Sequence, residues 1–127
     1  MNKIFTENAP KPGGHYSQAV EHNGLIFVSG QLGVEPGERS GDPIPGTIEE
    51  QVIICLKSVD EILKAAGSGI ENVLKMTIYV TDSALWPEVN KIYSEVLGEH
   101  KPARAIVPCK DLHFGFNVEI EAIAATV

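Results

Sequence analysis

The sequence predicts an α+β domain in which one mixed β-sheet carries two helices on the same face. Segments of alternating and of helical apolar periodicity follow one another in the order β-β-α-β-α-β-β, with no internal repeat and no linker. Each helical segment has a single apolar stripe, so both helices fit on one side of the sheet. The other side is left for water or another subunit. The 127 residues have the usual length of one domain, predicted as residues 1–127.

The first two predicted strands, residues 17–22 and 25–30, form a hairpin. Asn23 and Gly24 are the residue types that take the two positive-φ positions of a type I′ turn. The segment "EPGERSGDPIPG" follows with three prolines and three glycines, which indicates a surface loop.

The first predicted helix begins after Thr47. Thr47 and Glu50 have the spacing of a capping box, in which each side chain accepts a hydrogen bond from the other residue's amide. The helix is predicted to end at Ala66, since Gly67 suits the left-handed cap. Apolar residues recur behind the cap at helical steps, at Ile48, Val52, Leu56, Val59 and Leu63.

A strand and a second helix come next. The strand "NVLKMTIYV" alternates, and one of its faces is predicted to hold Leu74, Met76, Ile78 and Val80. The helix is predicted to start at Asp82 or Ser83 as cap and to end at Gly98, with Pro87 tolerated in its first turn. Its apolar stripe is predicted at Leu85, Val89, Ile92 and Val96.

The last two predicted strands are "ARAIV" and "NVEIEAIAAT". In the final strand, the helix side is predicted to hold Val118, Ile120, Ala122 and Ala124. Glu119 and Glu121 then point at the face that the helices do not cover.

Charge and cysteine content exclude several classes of protein. The net charge of −7, with no basic groove, argues against binding of nucleic acid. Cys55 and Cys109 match no Cys-x-x-Cys pair, and no apolar run is long enough for a signal region or a membrane span. We therefore expect a reduced, cytoplasmic protein, with Cys55 in helix packing and Cys109 in a loop. The four histidines match no metal motif.

Five motifs resemble the RidA family, also called the YjgF family. They are "GGHYSQAV", "LIFVSGQLGVEP", "GTIEEQ", "KPARA" and "VEIEAIA", and the likeness runs from about Thr6 to Ala125 with almost no gaps. Each motif alone is a weak signal. Together, at the family's spacing, they identify the chain as a member of this family.

The resemblance implies a fold, an assembly and an activity. Members resemble bacillus-type chorismate mutase and form homotrimers around a central barrel, with three clefts between neighbouring subunits. Their typical activity is cofactor-independent hydrolysis of enamines and imines to 2-keto acids and ammonia, as in 2-iminobutanoate/2-iminopropanoate deaminase. The alternatives are the family's second label, endoribonuclease L-PSP and inhibitor of translation, and a non-catalytic protein that binds small acids.

The motifs carry over two central site residues. Through the motif "PARA", the resemblance implies that Arg104 binds the substrate carboxylate, and the planar fork of a guanidinium suits a bidentate pair with such a group. Glu119, the first acid of "EIEA", corresponds to the cleft acid, which would orient water near C2 and relay a proton to the departing nitrogen. The alternatives are a salt bridge from Arg104 to Glu119 or Glu121, and a barrel acid paired with a neighbour's arginine. Glu121 is predicted to be structural.

Four further residues carry over as substrate-binding residues. Tyr16 would pack over the planar substrate or hydrogen-bond to it, unless it is only an interface aromatic. Ser29 and Gly30 would lend polar groups beside it, unless they merely end a strand. Asn90 in "EVNKIY" is a weaker match.

Three residues depart from the family pattern. His15 replaces the usual proline of Gly-Pro-Tyr, Ile106 lies where many members have a cysteine, and His113 replaces the proline of Leu-Pro. No thiol can therefore act at position 106, and we expect His15 to alter substrate choice. Three further aromatic residues are predicted to lie in the core or an interface, namely Trp86, Phe114 and Phe116.

Overall fold

The computed structural model describes residues 1–38 and 40–127, and in them one mixed sheet carries two helices, as predicted. The strands are β1 (Asn2–Ile4), β2 (Ala19–His22), β3 (Leu25–Leu32), β4 (Val73–Val80), β5 (Ala103–Pro108) and β6 (Val118–Ala125). Their spatial order is β1-β2-β3-β6-β4-β5, and β4 and β5 run parallel while the other neighbours are antiparallel. The helices are α1 (Ile48–Ala65) and α2 (Trp86–Leu97).

The predicted hairpin is confirmed, but one strand is missing from the prediction. Asn23 and Gly24 have φ values of 50° and 83°, which are those of the tight turn. Strand β1 was not predicted because three residues, "NKI", are too short to show an alternation. It adds to the edge of the sheet by pairing antiparallel with β2.

Helix α1 follows the prediction closely. The Glu50 amide donates to the Thr47 hydroxyl at 3.2 Å, and the Thr47 amide donates to the Glu50 carboxylate at 2.9 Å. The hydrogen bond from the Thr47 amide lowers the pKa of the Glu50 carboxyl. Gly67 follows the helix with a φ of 76°. The predicted stripe packs into the core, and Cys55 is fully buried beside it.

Two predicted core positions are wrong. Leu74 is 49% exposed, because a break in the β4–β6 register between Val73 and Lys75 turns Val73 inward in its place. Val96 is 42% exposed. Helix α2 starts only at Trp86, after a separate turn over Ser83–Leu85 that Asp82 caps, and its buried residues are Val89, Ile92, Tyr93 and Leu97.

The two faces of β6 differ as the sequence predicts. The residues that face the helices are buried, namely Val118, Ile120, Ala122 and Ala124. Glu119, Glu121 and Ile123 lie on the uncovered face and are partly exposed. No helix in the described part of the chain is long and apolar enough to cross a membrane.

Candidate active site

Four of the predicted site residues meet in one cavity on the uncovered side of the sheet. This cavity, which we call the Glu119 cavity, has a volume of about 640 Å³. Its lining includes Tyr16, Ser29, Gly30 and Glu119. A volume of this size is in the range of small-molecule sites.

The position of Glu119 is set by a polar network at the start of β6. The Asn117 amide donates to the Gln51 side chain at 2.9 Å, and the Asn117 side chain donates to the Thr81 hydroxyl at 3.1 Å. Gln51 in turn donates to the Gly46 carbonyl at 3.0 Å. Gln51 is 1% exposed, so these bonds tie β6 to α1 and β4 two residues before Glu119.

Gly30 makes room for the Glu119 carboxyl. The pairing of β3 with β6 breaks between Val28 and Gln31, which leaves Ser29 and Gly30 in a bulge. A side chain at residue 30 would overlap Oε2 of Glu119. The absence of a β-carbon at this position therefore allows the carboxyl to lie directly against the strand.

The environment of Glu119 favours its neutral form. Burial, and next the charge of Glu121, raise the pKa of Glu119 above its ordinary value. Glu121 accepts a hydrogen bond from the Tyr79 hydroxyl at 2.5 Å, and this bond is the main cause of a raised pKa at Tyr79. Within the described residues, by contrast, no group donates a hydrogen bond to Glu119. Its carboxyl is therefore available to a ligand and able to carry a proton.

Tyr16 and Ser29 offer different polar groups to the Glu119 cavity. The Tyr16 hydroxyl accepts a hydrogen bond from the Gly13 amide at 3.3 Å, so its own hydrogen remains for a ligand. The Ser29 hydroxyl donates to the Ser17 carbonyl at 2.6 Å, and the Ser29 amide donates to the Gln18 carbonyl at 2.9 Å. The Ser29 hydroxyl can therefore only accept a hydrogen bond from a ligand, and the Ser29 amide is already occupied.

Arg104 and Asn90 lie together in a second cavity of about 380 Å³. The Arg104 guanidinium donates to the Asn90 side-chain oxygen at 2.9 Å. It also lies over the ring of Tyr93, 4.9 Å from the centroid, and 5.8 Å from that of Trp86. Among the described residues, the partners of Arg104 are therefore an amide and two rings, and no salt bridge joins Arg104 to Glu119 or Glu121 within one chain.

The strand register places Arg104 and Glu119 on opposite faces of the sheet. Tyr79 of β4 pairs with Glu119 on one side and with Val107 on the other, so these three side chains share the uncovered face. Arg104 precedes Val107 by three positions and pairs with Met76, which is fully buried on the helix side. One chain alone therefore does not bring the two residues to the same ligand.

Several residues that contact Arg104 or line the Glu119 cavity were not predicted as site residues from the sequence. Trp86 and Tyr93 contact Arg104, and their spacing with Asn90 at i, i+4 and i+7 puts all three on one side of α2, a signal that the sequence contained. Lys11 lines the Glu119 cavity without any such signal, because its position depends on a loop. Of the aromatic residues expected in the core or an interface, Phe116 is buried, whereas Phe114 and Trp86 are 39% and 46% exposed in this chain.

The three departures from the family pattern fall in different places. His113 lines the Glu119 cavity, whereas His15 is exposed and is not part of the lining. Ile106 packs against the core.

Comparison with known proteins places the chain in a family. The model of the family described as Endoribonuclease L-PSP, which is the RidA/YjgF family, matches residues 6–126. The chain belongs to this family. The resemblance predicted from the five motifs is thereby confirmed.

Relatives and solved structures in the RidA family cover nearly the whole chain. A RutC family protein of Aquifex aeolicus is 46% identical over 126 residues, covering 98% of each chain. A mouse protein named 2-iminobutanoate/2-iminopropanoate deaminase is 43% identical over 121 residues, covering 95% of this chain and 88% of its own. The structure of E. coli TdcF with bound serine superposes with a TM-score of 0.90 at 33% identity, covering 100% of both chains. The predicted α+β fold class is confirmed by such neighbours.

Proposed function

We propose that this protein is a hydrolase that converts 2-imino acids and their enamine forms to 2-oxo acids and ammonia, acting as a 2-iminobutanoate/2-iminopropanoate deaminase. The observation that carries the proposal is the Glu119 carboxyl, which has a raised pKa, no hydrogen-bond donor among the described residues and a place in a cavity with Tyr16. The 43% identical mouse relative that bears the deaminase name supports the same reaction.

A homotrimer is part of this proposal, because one chain does not complete the site. Arg104 lies on the helix side of β5, and β5 is an edge strand of the sheet. A neighbouring copy that approaches this edge can bring its own Glu119 cavity toward the Arg104 guanidinium. Each of three clefts would then contain Arg104 of one subunit and Glu119 of the next.

The uncovered face of the sheet has the composition of a subunit interface. Phe27 of β3 is 45% exposed and pairs with Ile123 of β6, and Val107 of β5 is 37% exposed on the same face. Tyr79 and Glu121 add a hydrogen-bonded polar pair between them. Contact between copies would remove this apolar area from water, and the polar pair already satisfies part of its own hydrogen bonding.

The proposed chemistry adds water to C2 and releases the nitrogen. Arg104 holds the substrate carboxylate through a bidentate pair, which fixes C2 beside Glu119. The Glu119 carboxylate accepts a proton from water as the oxygen of that water bonds to C2 of the protonated imine, which gives a neutral carbinolamine. The resulting carboxylic acid then donates that proton to the nitrogen. Ammonia leaves as the carbonyl forms, and the Glu119 carboxylate accepts the proton of the C2 hydroxyl and releases it to solvent. A carboxyl whose pKa is raised by burial is suited to both steps, because it takes up a proton more readily than an ordinary carboxylate does and can still return it.

The direct test is hydrolysis of 2-iminobutanoate and 2-iminopropanoate generated in the assay from threonine and serine by an amino acid dehydratase. The imine is trapped with semicarbazide in competition with the protein. We expect the protein to accelerate oxo acid formation above buffer, Glu119→Gln to lower kcat by about 10²–10⁴-fold, and Arg104→Ala to lower kcat/KM by at least about tenfold.

Two further variants make the test specific. Arg104→Lys is expected to recover little of the loss, since a point charge cannot form the bidentate pair. Glu95→Gln, which removes a carboxylate from an exposed position of α2, is the matched control and keeps full activity. Equal rates with and without the wild-type protein would refute the proposal.

A ribonuclease is the second candidate, and one observation favours it. His113, Lys11 and Glu119 line the same cavity, which supplies the base, cation and acid that phosphodiester cleavage needs. The net charge of −7 opposes binding of RNA. RNA cleavage that persists through purification and is lost in His113→Ala would support this candidate.

A further inference from the structure

The loop before β6 contains a backbone conformation that its residue type disfavours. Phe114 has φ 57° and ψ 19°, in the left-handed region, and Gly115 follows with a φ of 77°. Asn23 is the other residue besides glycine with positive φ in the described chain, and asparagine at such a turn is ordinary. For a bulky aromatic residue the same region is costly, so another interaction must stabilise this loop.

Packing in the core does not account for the conformation. The Phe114 side chain is 39% exposed, whereas that of Phe116, two residues later, is 1% exposed. The Phe114 ring contacts the ring of His113, with 3.9 Å between the ring centroids and 51° between the ring planes. The strained turn therefore serves to place two adjacent rings at a surface, and that surface is the wall of the Glu119 cavity.

The lining of the Glu119 cavity, which includes these two rings, is largely apolar. Besides the polar groups near Glu119, the cavity is lined by Pro10, Leu32, Val34, Pro43 and Phe114. Its volume of about 640 Å³ is more than an imino acid of three carbons occupies. The apolar residues can therefore accept a substrate side chain while the reacting carbon stays at Glu119.

We propose that Phe114, held in its left-handed conformation beside His113, selects 2-imino acids with apolar side chains larger than methyl, such as those derived from leucine, methionine or phenylalanine. The inference rests on the proposed deaminase function and names the substrate class for the same site. Contact with the Phe114 ring removes the substrate side chain from water, which favours the larger substrate at the transition state.

The test compares large and small substrates in Phe114→Asn. Asparagine tolerates the left-handed conformation, so the variant removes the ring without adding strain. Imines of leucine and methionine are generated by an amino acid oxidase, and 2-iminopropanoate by a dehydratase. We expect the wild-type protein to prefer the large imines in kcat/KM, and the ratio of large to small to fall by at least about tenfold in Phe114→Asn. Phe5→Asn, which removes an exposed aromatic ring outside the cavity, is the matched control and keeps the ratio unchanged.

A binding measurement separates failure of this inference from failure of the proposed function. Dissociation constants for pyruvate and 4-methyl-2-oxopentanoate are measured by calorimetry in the wild type, Phe114→Asn and Phe114→Gly. If the wild type hydrolyses no imine, the deaminase proposal fails, and a preference for the larger oxo acid that falls in both variants still supports the subsite. An unchanged ratio in both the kinetic and the binding experiment, with folded variants, overturns the inference.

Discussion

The Glu119 carboxyl occupies the space that a side chain at Gly30 would need, at the bulge where β3 and β6 lose their register. The two residues belong to different strands and are 89 positions apart in the chain (119 − 30). The orientation of the carboxyl therefore depends on a missing side chain, and this relationship can be tested without changing any polar group.

Gly30→Ala is expected to lower kcat by about 10²-fold, because the added methyl group pushes the carboxyl away from its position and misplacement by about 1 Å has an effect of this size. Steady-state kinetics with 2-iminopropanoate would measure it. Because the effect is transmitted through Glu119, the double variant Gly30→Ala/Glu119→Gln should be no slower than Glu119→Gln alone. A further loss in the double variant would show that Gly30 acts by another route.

Glu119→Gln is expected to stabilise the protein increasingly as pH rises. The pKa of Glu119 is raised in the folded chain from 4.5, so between 4.5 and the raised value the folded state binds more protons than the unfolded state. The wild type then loses free energy of unfolding as pH rises through that window, and the variant does not. Urea unfolding of both proteins from pH 4 to pH 7, at one protein concentration, would measure the difference. The opposite slope would mean that a cation of a neighbouring subunit pairs with Glu119.

Two impaired variants are expected to regain activity when their subunits are mixed. In random trimers of Arg104→Ala and Glu119→Gln chains, about a quarter of the clefts would combine an intact Arg104 with an intact Glu119 of the next subunit, as closed symmetry requires. Unfolding and refolding the mixture, followed by the imine assay, would reveal the recovery. The separately refolded variants are the control. Activity no higher than theirs would show that the site does not span subunits.

Tyr93→Phe is expected to raise the free energy of unfolding by up to about 1 kcal/mol. The Tyr93 hydroxyl is buried and has no hydrogen-bond partner in the described chain, and burial raises its pKa although the Arg104 charge opposes the shift. Phenylalanine removes the unpaired group and keeps the ring beneath Arg104. Thermal and urea unfolding would measure the change. A destabilised, less active Tyr93→Phe would instead identify a partner for the hydroxyl in the assembly or the substrate.

Most of the fold could be predicted because its signals are local. The capping box at Thr47, the turn at Asn23 and the alternation of β6 each depend on residues close in sequence. The errors in the strands came from features that depend on pairing. The bulge at Leu74 inverts the strand pattern only because of its partner β6, and β1 exists only because β2 offers an edge.

Four of the six residues predicted for the site lie together in the structure, whereas Arg104 and Asn90 lie apart from them. The family motifs led to Glu119, Tyr16, Ser29 and Gly30, and the structure collects these four in one cavity. The separation of Arg104 from them follows from the parallel pairing of β4 with β5, which no local pattern reveals. The position of Phe114 in the lining of the Glu119 cavity could not be predicted either, because nothing in the sequence signals an aromatic residue in a left-handed conformation.

The last strand in chain order, β6, lies in the middle of the sheet between β3 and β4. During synthesis on the ribosome, β3 and β4 therefore emerge before their common neighbour. The edge of each strand that pairs with β6 stays unpaired until β6 has been synthesised. Such edges are open to association with other nascent chains. The segment that carries the catalytic candidate Glu119 thus also covers the edges of β3 and β4, so a chain interrupted before Val118 would be prone to aggregate as well as inactive.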